Sequence, residues 1–117
     1  MYEWDFGLLW GYRWLFLDGL WVTVSFTVAI VAGGLAVGLV GALGLLCRFA
    51  PLRLASLAFI EVFRCTPILV QLIWCYYALP ILAGIELSAT SAALIALSCY
   101  GGAFYAEIIR GGIVSID

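Results

Sequence analysis

Any chemistry in this chain must come from a few polar residues set in apolar sequence. Glu61 and Arg64 stand three apart, Glu107 and Arg110 repeat that spacing, and Thr66 and Pro67 follow closely on the first pair. Residues three apart share a helical face, so each pair can close as an ion pair. A charge at bilayer depth is costly and ordinarily marks a pathway, a pairing or an interface. Pro67 has no N–H for the carbonyl of Phe63 and disfavours a helical Thr66, so a kink or short break is expected there. In lipid the freed backbone groups need new partners, and the Thr66 hydroxyl can supply one. Spacing leaves two readings open: interfacial ion pairs of modest worth, or a cytoplasmic coupling or gating contact.

Other chemistries are poorly served. Histidine is absent, so no imidazole can act as base, metal ligand or proton relay. Cys47, Cys65, Cys75 and Cys99 show no C-x-x-C spacing and read as small apolar filler, so neither a metal site nor a catalytic residue is assigned. The net charge of -2, without any basic run, argues against a nucleic-acid partner.

The elements that must hold these residues follow from composition. Apolar residues make up 67% of the 117 and charged ones 10%, and the mean hydropathy is +1.21. Soluble domains carry far more charge, so the chain reads as an all-α integral membrane protein in contact with lipid. At roughly 20 apolar residues per crossing, there is room for three transmembrane helices, expected at about residues 20–46, 54–79 and 88–109.

Residues 1–18 interleave Trp4, Trp10, Tyr12 and Trp14 with Glu3, Asp5, Arg13 and Asp18. Amphipathic rings favour the headgroup level, so an interfacial segment, external to the membrane, is expected. No basic n-region or small-residue cleavage site precedes it, and membrane delivery is assigned to the first crossing. In that crossing Gly34, Gly38 and Ala42 fall four apart, a stripe suited to close helix packing. Arg48 and Arg53 make a basic turn without an acid, which the positive-inside rule assigns to the cytoplasm, leaving the amino terminus outside. Pro80 is expected to end the second crossing, Ser88 or Thr90 to cap the third, and Gly111 or Gly112 to close it in the left-handed region.

Taken together these residues resemble the membrane-spanning permease subunit of polar amino-acid ABC importers, the type I family that includes histidine, glutamine and arginine permeases. The resemblance runs from about Gly7 to Asp117. It is carried by G-L-W-V-T-V at residues 19–24, F-I-E-V-F-R-C-T-P-I-L-V-Q-L at 59–72 and Y-A-E-I-I-R-G-G-I-V-S-I at 105–116. The last two are specific, because a generic membrane helix has no reason to set E-x-x-R before T-P and again before G-G.

The resemblance implies a multi-pass subunit of a bacterial inner membrane that forms a translocation pathway with a partner permease, identical or different. A cytoplasmic ATPase dimer would bind ATP and Mg, so this chain would be neither an enzyme nor a cofactor protein, and no G-x-x-x-x-G-K-[ST] is found in it. A periplasmic binding protein would deliver the amino acid. Glu61, Arg64, Thr66 and Pro67 take the family motif of the second helix, and Glu107, Arg110 and Gly111 that of the third. Ser98, Tyr100 and Gln71 are candidates for the substrate pathway, with interhelical hydrogen bonding as the competing reading. The family usually has glycine where Cys65 stands, so the backbone before the break is less free. The coupling loop and last helices of the family lie beyond residue 117, so residues 19–117 match an amino-terminal part, and an incomplete chain is expected. Two other classes compete: a small multidrug-type transporter, which would need an acid in the first crossing where none occurs, and a noncatalytic fragment that pairs through the glycine stripe.

Overall fold

Apolar sequence without proline should form unbroken helix in a bilayer, where backbone groups have no water to turn to. The computed structural model, which describes residues 6–116, follows that rule. A short α1 (Gly7–Gly11) leads into α2 (Arg13–Leu46), then come α3 (Ala50–Cys65), α4 (Ile68–Ile73), a π-helical turn (Trp74–Ala78), α5 (Leu79–Ala83) and α6 (Ala89–Val114). The helix-rich, strand-free fold expected from composition is present among the described residues. Glu3, Trp4 and Asp5 of the aromatic start lie outside them.

Three boundaries differ from expectation. Helix α2 begins at Arg13 rather than near residue 20 and is 34 residues long, about 51 Å at 1.5 Å per residue. Pro80 does not end its helix. It sits at the start of α5, directly after the π-helical turn, where Leu79 N–H donates to the carbonyl of Trp74. A widened turn relieves the ring clash that a proline would otherwise cause. The stop comes at Gly84, φ 65°, with Ile85 N–H returning to Pro80 O at 3.2 Å in a Schellman closure. Helix α6 runs on through Gly111 and Gly112 to Val114, and neither has positive φ. Its start is as expected, with Ser88 Oγ accepting from Ser91 N–H at 3.1 Å.

The second crossing is the largest departure. It is two arms, 50–65 and 68–83, bent by 110° at the Thr66–Pro67 break, and so counts as one broken span or a re-entrant pair. Helices α2 and α6 are each long and apolar enough to cross on their own.

Glycine brings α2 and α6 together. A Cβ on Gly38 would lie 2.6 Å from Tyr105 Cβ and 3.0 Å from Gly102 O, and one on Gly34 would lie 3.1 Å from the Tyr105 ring. A side chain at position 38 would force the helices to shift, and one at 34 would press on the Tyr105 ring. The contacts rise in step: Gly33 meets Ser98, Gly38 meets Gly102 and Ala106, Gly41 meets Ala106. The two helices are therefore parallel, and the segment between them must return from one end of the pair to the other. It does so: Ser56 meets Gly44 and Ile60 packs with Ala42 and Ala106, whereas Cys75 packs with Ala92 and Ala96. Three passes across one slab result, the middle one broken.

The buried core is small: Ala42, Ile60, Ala103 and Ala106 in one cluster, Cys75, Ala92 and Ala96 in the other. Small side chains suit helices that associate by close backbone packing in lipid. Residues 13–25 of α2 are all exposed. Their hydroxyls are satisfied within the helix, Thr23 Oγ1 on Gly19 O at 2.8 Å and Ser25 Oγ on Trp21 O at 2.7 Å, as a lipid-facing helix requires.

Candidate functional site

The break between α3 and α4 is the chain's most unusual backbone, and its repair begins with what Pro67 removes. Without an N–H at residue 67, the Phe63 carbonyl loses its helical donor. Gln71, one turn beyond the proline, restores it: Nε2 donates to Phe63 O at 2.8 Å and to Thr66 O at 3.0 Å. The expected donor, the Thr66 hydroxyl, instead bonds Val62 O at 2.7 Å, a carbonyl that also receives Thr66 N–H. The resemblance offers Gln71 as a candidate for the substrate pathway, with interhelical hydrogen bonding as the competing reading. A carboxamide four residues after a proline in an apolar run is the signal that could have revealed its clamp. Gln71 is 7% exposed, and its Oε1 is buried without a hydrogen-bond partner. Beside it opens a cavity of about 280 Å³ lined by Val62, Phe63, Thr66, Val70, Gln71 and Trp74. Irregular backbone at membrane depth is tolerated where protein buries it or a cavity solvates it.

The two E-x-x-R repeats do not behave alike. Arg110 Nη2 lies 3.0 Å from Glu107 Oε2, the one ion pair among the described residues. Glu61 and Arg64 form no such pair. The Cys65 thiol donates to Glu61 Oε2 at 3.6 Å, and the Arg64 guanidinium lies 5.6 Å from the centre of the Phe104 ring on α6. In place of the expected pairing, Glu61 bonds along its own helix, while Arg64, in the last turn of α3, meets an aromatic face across the helix contact. Arg64 over Phe104 and Ile60 against Ala106 nevertheless bring both repeats to the same end of α6. Arg53 joins them, lining a cavity with Leu45, Glu107 and Arg110.

Among the pathway candidates, Ser98 lies against Gly33, where a Cβ would come 2.6 Å from its Oγ. Tyr100 packs its ring 5.0 Å from that of Phe104. The stripe Gly34, Gly38 and Ala42 is buried within the chain, against α6 and α3. That occupancy removes the sequence argument for pairing with another molecule through this face. Among the described residues no group of three or more Cys, Asp or Glu could hold a metal.

Fold and site thus define a helical multi-pass membrane protein whose middle span is broken at a proline and clamped by a carboxamide. No family model matches the chain. It is 37% identical to the putative glutamine transport system permease protein GlnP of Rickettsia conorii, over 86% of this chain and 46% of that protein. With the arginine transport system permease protein ArtQ of Bacillus subtilis it shares 38% identity, at the same coverages. With the glutamate/aspartate import permease protein GltK of Escherichia coli it shares 35%, over 100% of this chain and 55% of that one. A crystal structure of an amino acid ABC transporter with histidines contains a chain that superposes with a TM-score of 0.89 at 36% identity, covering 99% of this chain and 54% of that chain. The homologues of this protein are amino-acid ABC transporter permeases, and it spans about half the length of the curated relatives it matches.

Proposed function

We propose that this chain contributes part of the transmembrane pathway of an ATP-driven importer of polar amino acids. The observation that carries the reading is the agreement of nearly the whole chain with a transporter subunit, TM-score 0.89 at 36% identity. The pathway would be completed by a partner permease. ATP and Mg would be bound by a cytoplasmic ATPase dimer, and the amino acid would arrive from a periplasmic binding protein. The chain itself would bind no nucleotide and perform no catalysis.

Arg48 in the turn before α3 and Arg53 at the start of α3, with Arg110 at the same end, favour a cytoplasmic side there and an outer amino terminus in a bacterial inner membrane. In that orientation Glu61, Arg64, Glu107, Arg110 and Gly111 form a cytoplasmic gate or coupling contact, while Thr66 and Pro67 supply its hinge. Ser98, Tyr100 and Gln71 lie along the route a substrate would take.

The test is uptake. The protein, expressed with any reading frame that continues past Asp117 and with its cognate ATPase and binding protein, is reconstituted in proteoliposomes and given radiolabelled glutamine, arginine, histidine or glutamate. ATP-dependent accumulation of at least one is expected. Accumulation of none, with every component present and ATP hydrolysed, sinks the reading.

A further inference from the structure

Where α3 starts and α6 finishes, basic side chains outnumber acids around an open cavity. It measures about 240 Å³ and is lined by Leu45, Arg53, Leu54, Leu57, Glu107 and Arg110. Glu107 is already matched by Arg110 at 3.0 Å, and that contact uses one terminal nitrogen of a guanidinium that carries five N–H donors. Among the described residues, the Arg53 side chain makes neither an ion pair nor a hydrogen bond. Helix α3 begins without a side-chain cap and without an acid in its first turn, so its positive end stays uncompensated beside Arg53. The lining thus combines two arginines and one glutamate, a net positive charge, with three leucines.

That pairing of charge with apolar wall selects the occupant. A free anion satisfies Arg53 but leaves Leu45, Leu54 and Leu57 unused, and an acidic peptide loop does the same. An amphiphile with an anionic head and a hydrocarbon tail uses both. We propose that this cavity binds the phosphate of an anionic phospholipid, held by Arg53 and the spare donors of Arg110, with the acyl chain against the leucines. Basic pockets between membrane helices on the cytoplasmic side are suited to such headgroups. The proposal requires a membrane around the chain but not transport, so it is tested independently of amino-acid uptake.

The test uses the purified protein, expressed with any reading frame that continues past Asp117, in nanodiscs of phosphatidylcholine with increasing phosphatidylglycerol, and native mass spectrometry to count the lipid retained. Arg53→Gln is expected to weaken phosphatidylglycerol retention roughly fivefold, Arg53→Lys to recover most of it, and Arg13→Gln, at the other end of α2, to leave it unchanged. Because Arg53 has no partner among the described residues, Arg53→Gln is expected to keep the fold, which circular dichroism verifies. Millimolar inorganic phosphate should fail to displace the lipid. Retention unaltered in folded Arg53→Gln overturns the proposal, and so does equal displacement by phosphate, which would mark a free-anion site.

Discussion

At the scale of the residue, Gln71 decides how the break is held. Its carboxamide must donate, because both groups it meets are carbonyl oxygens. Gln71→Glu keeps shape and volume but, when ionised, places an acceptor against two acceptors. The expected cost is about 1–3 kcal/mol, read as a lower unfolding midpoint in detergent and faster amide exchange at residues 66–71. Gln71→Glu with unchanged midpoint and exchange would show that the clamp does not hold the break. The carboxamide is polar and so visible in sequence, but its partners are set by a bend whose size no local rule supplies. Glu61 makes the same point in reverse. Its spacing to Arg64 matches that of Glu107 to Arg110, yet only the second pair closes, since Arg64 is drawn to Phe104 and Glu61 to the thiol of Cys65.

At the scale of the element, the contact between α2 and α6 depends on absent side chains. A methyl on Gly38 would press on Tyr105 Cβ and on the Gly102 backbone, whereas one on Gly19 meets nothing within 4 Å. Gly38→Ala is therefore expected to destabilise by about 1–3 kcal/mol. Gly19→Ala, which adds helix propensity worth up to about 1 kcal/mol, should be neutral or stabilising. Thermal unfolding of the two variants in the same detergent checks the contrast, and equal midpoints would refute it. The stripe itself was legible from the recurrence of Gly34, Gly38 and Ala42 four apart. Its partner was not, because a small-residue face packs equally well against a helix of its own chain or of another. The π-helical turn that carries Pro80 past the expected stop was likewise invisible, since a proline in sequence signals a stop and a kink alike.

At the scale of the whole molecule, the parallel run of α2 and α6 fixes the number of passes. Parallel neighbours joined by one segment require that segment to cross back, so the turn at Arg48 and the end of α6 share a side and residues 84–88 take the other. Single cysteines placed at Arg48, Gly112 and Glu86 in a cysteine-free background should divide accordingly when labelled from one face of sealed vesicles. Position 112 labelling together with 86 and apart from 48 would refute the three-pass arrangement.

The all-α membrane character, the approximate place of each helix and the site of the break were legible along the chain. These follow from apolar run length, from glycine spacing and from the missing N–H of Pro67, all local properties. Folding was needed to show that the break bends the chain by 110°, that Gln71 repairs it, that one E-x-x-R pair closes while the other does not form, and that Arg53 stands beside the closed one. Apart from the Glu107–Arg110 pair, which closes within α6, these contacts join residues on different helices or across a discontinuity in the backbone. What a side chain meets there depends on how the helices are oriented, and that orientation is a property of packing that spacing along the chain does not set.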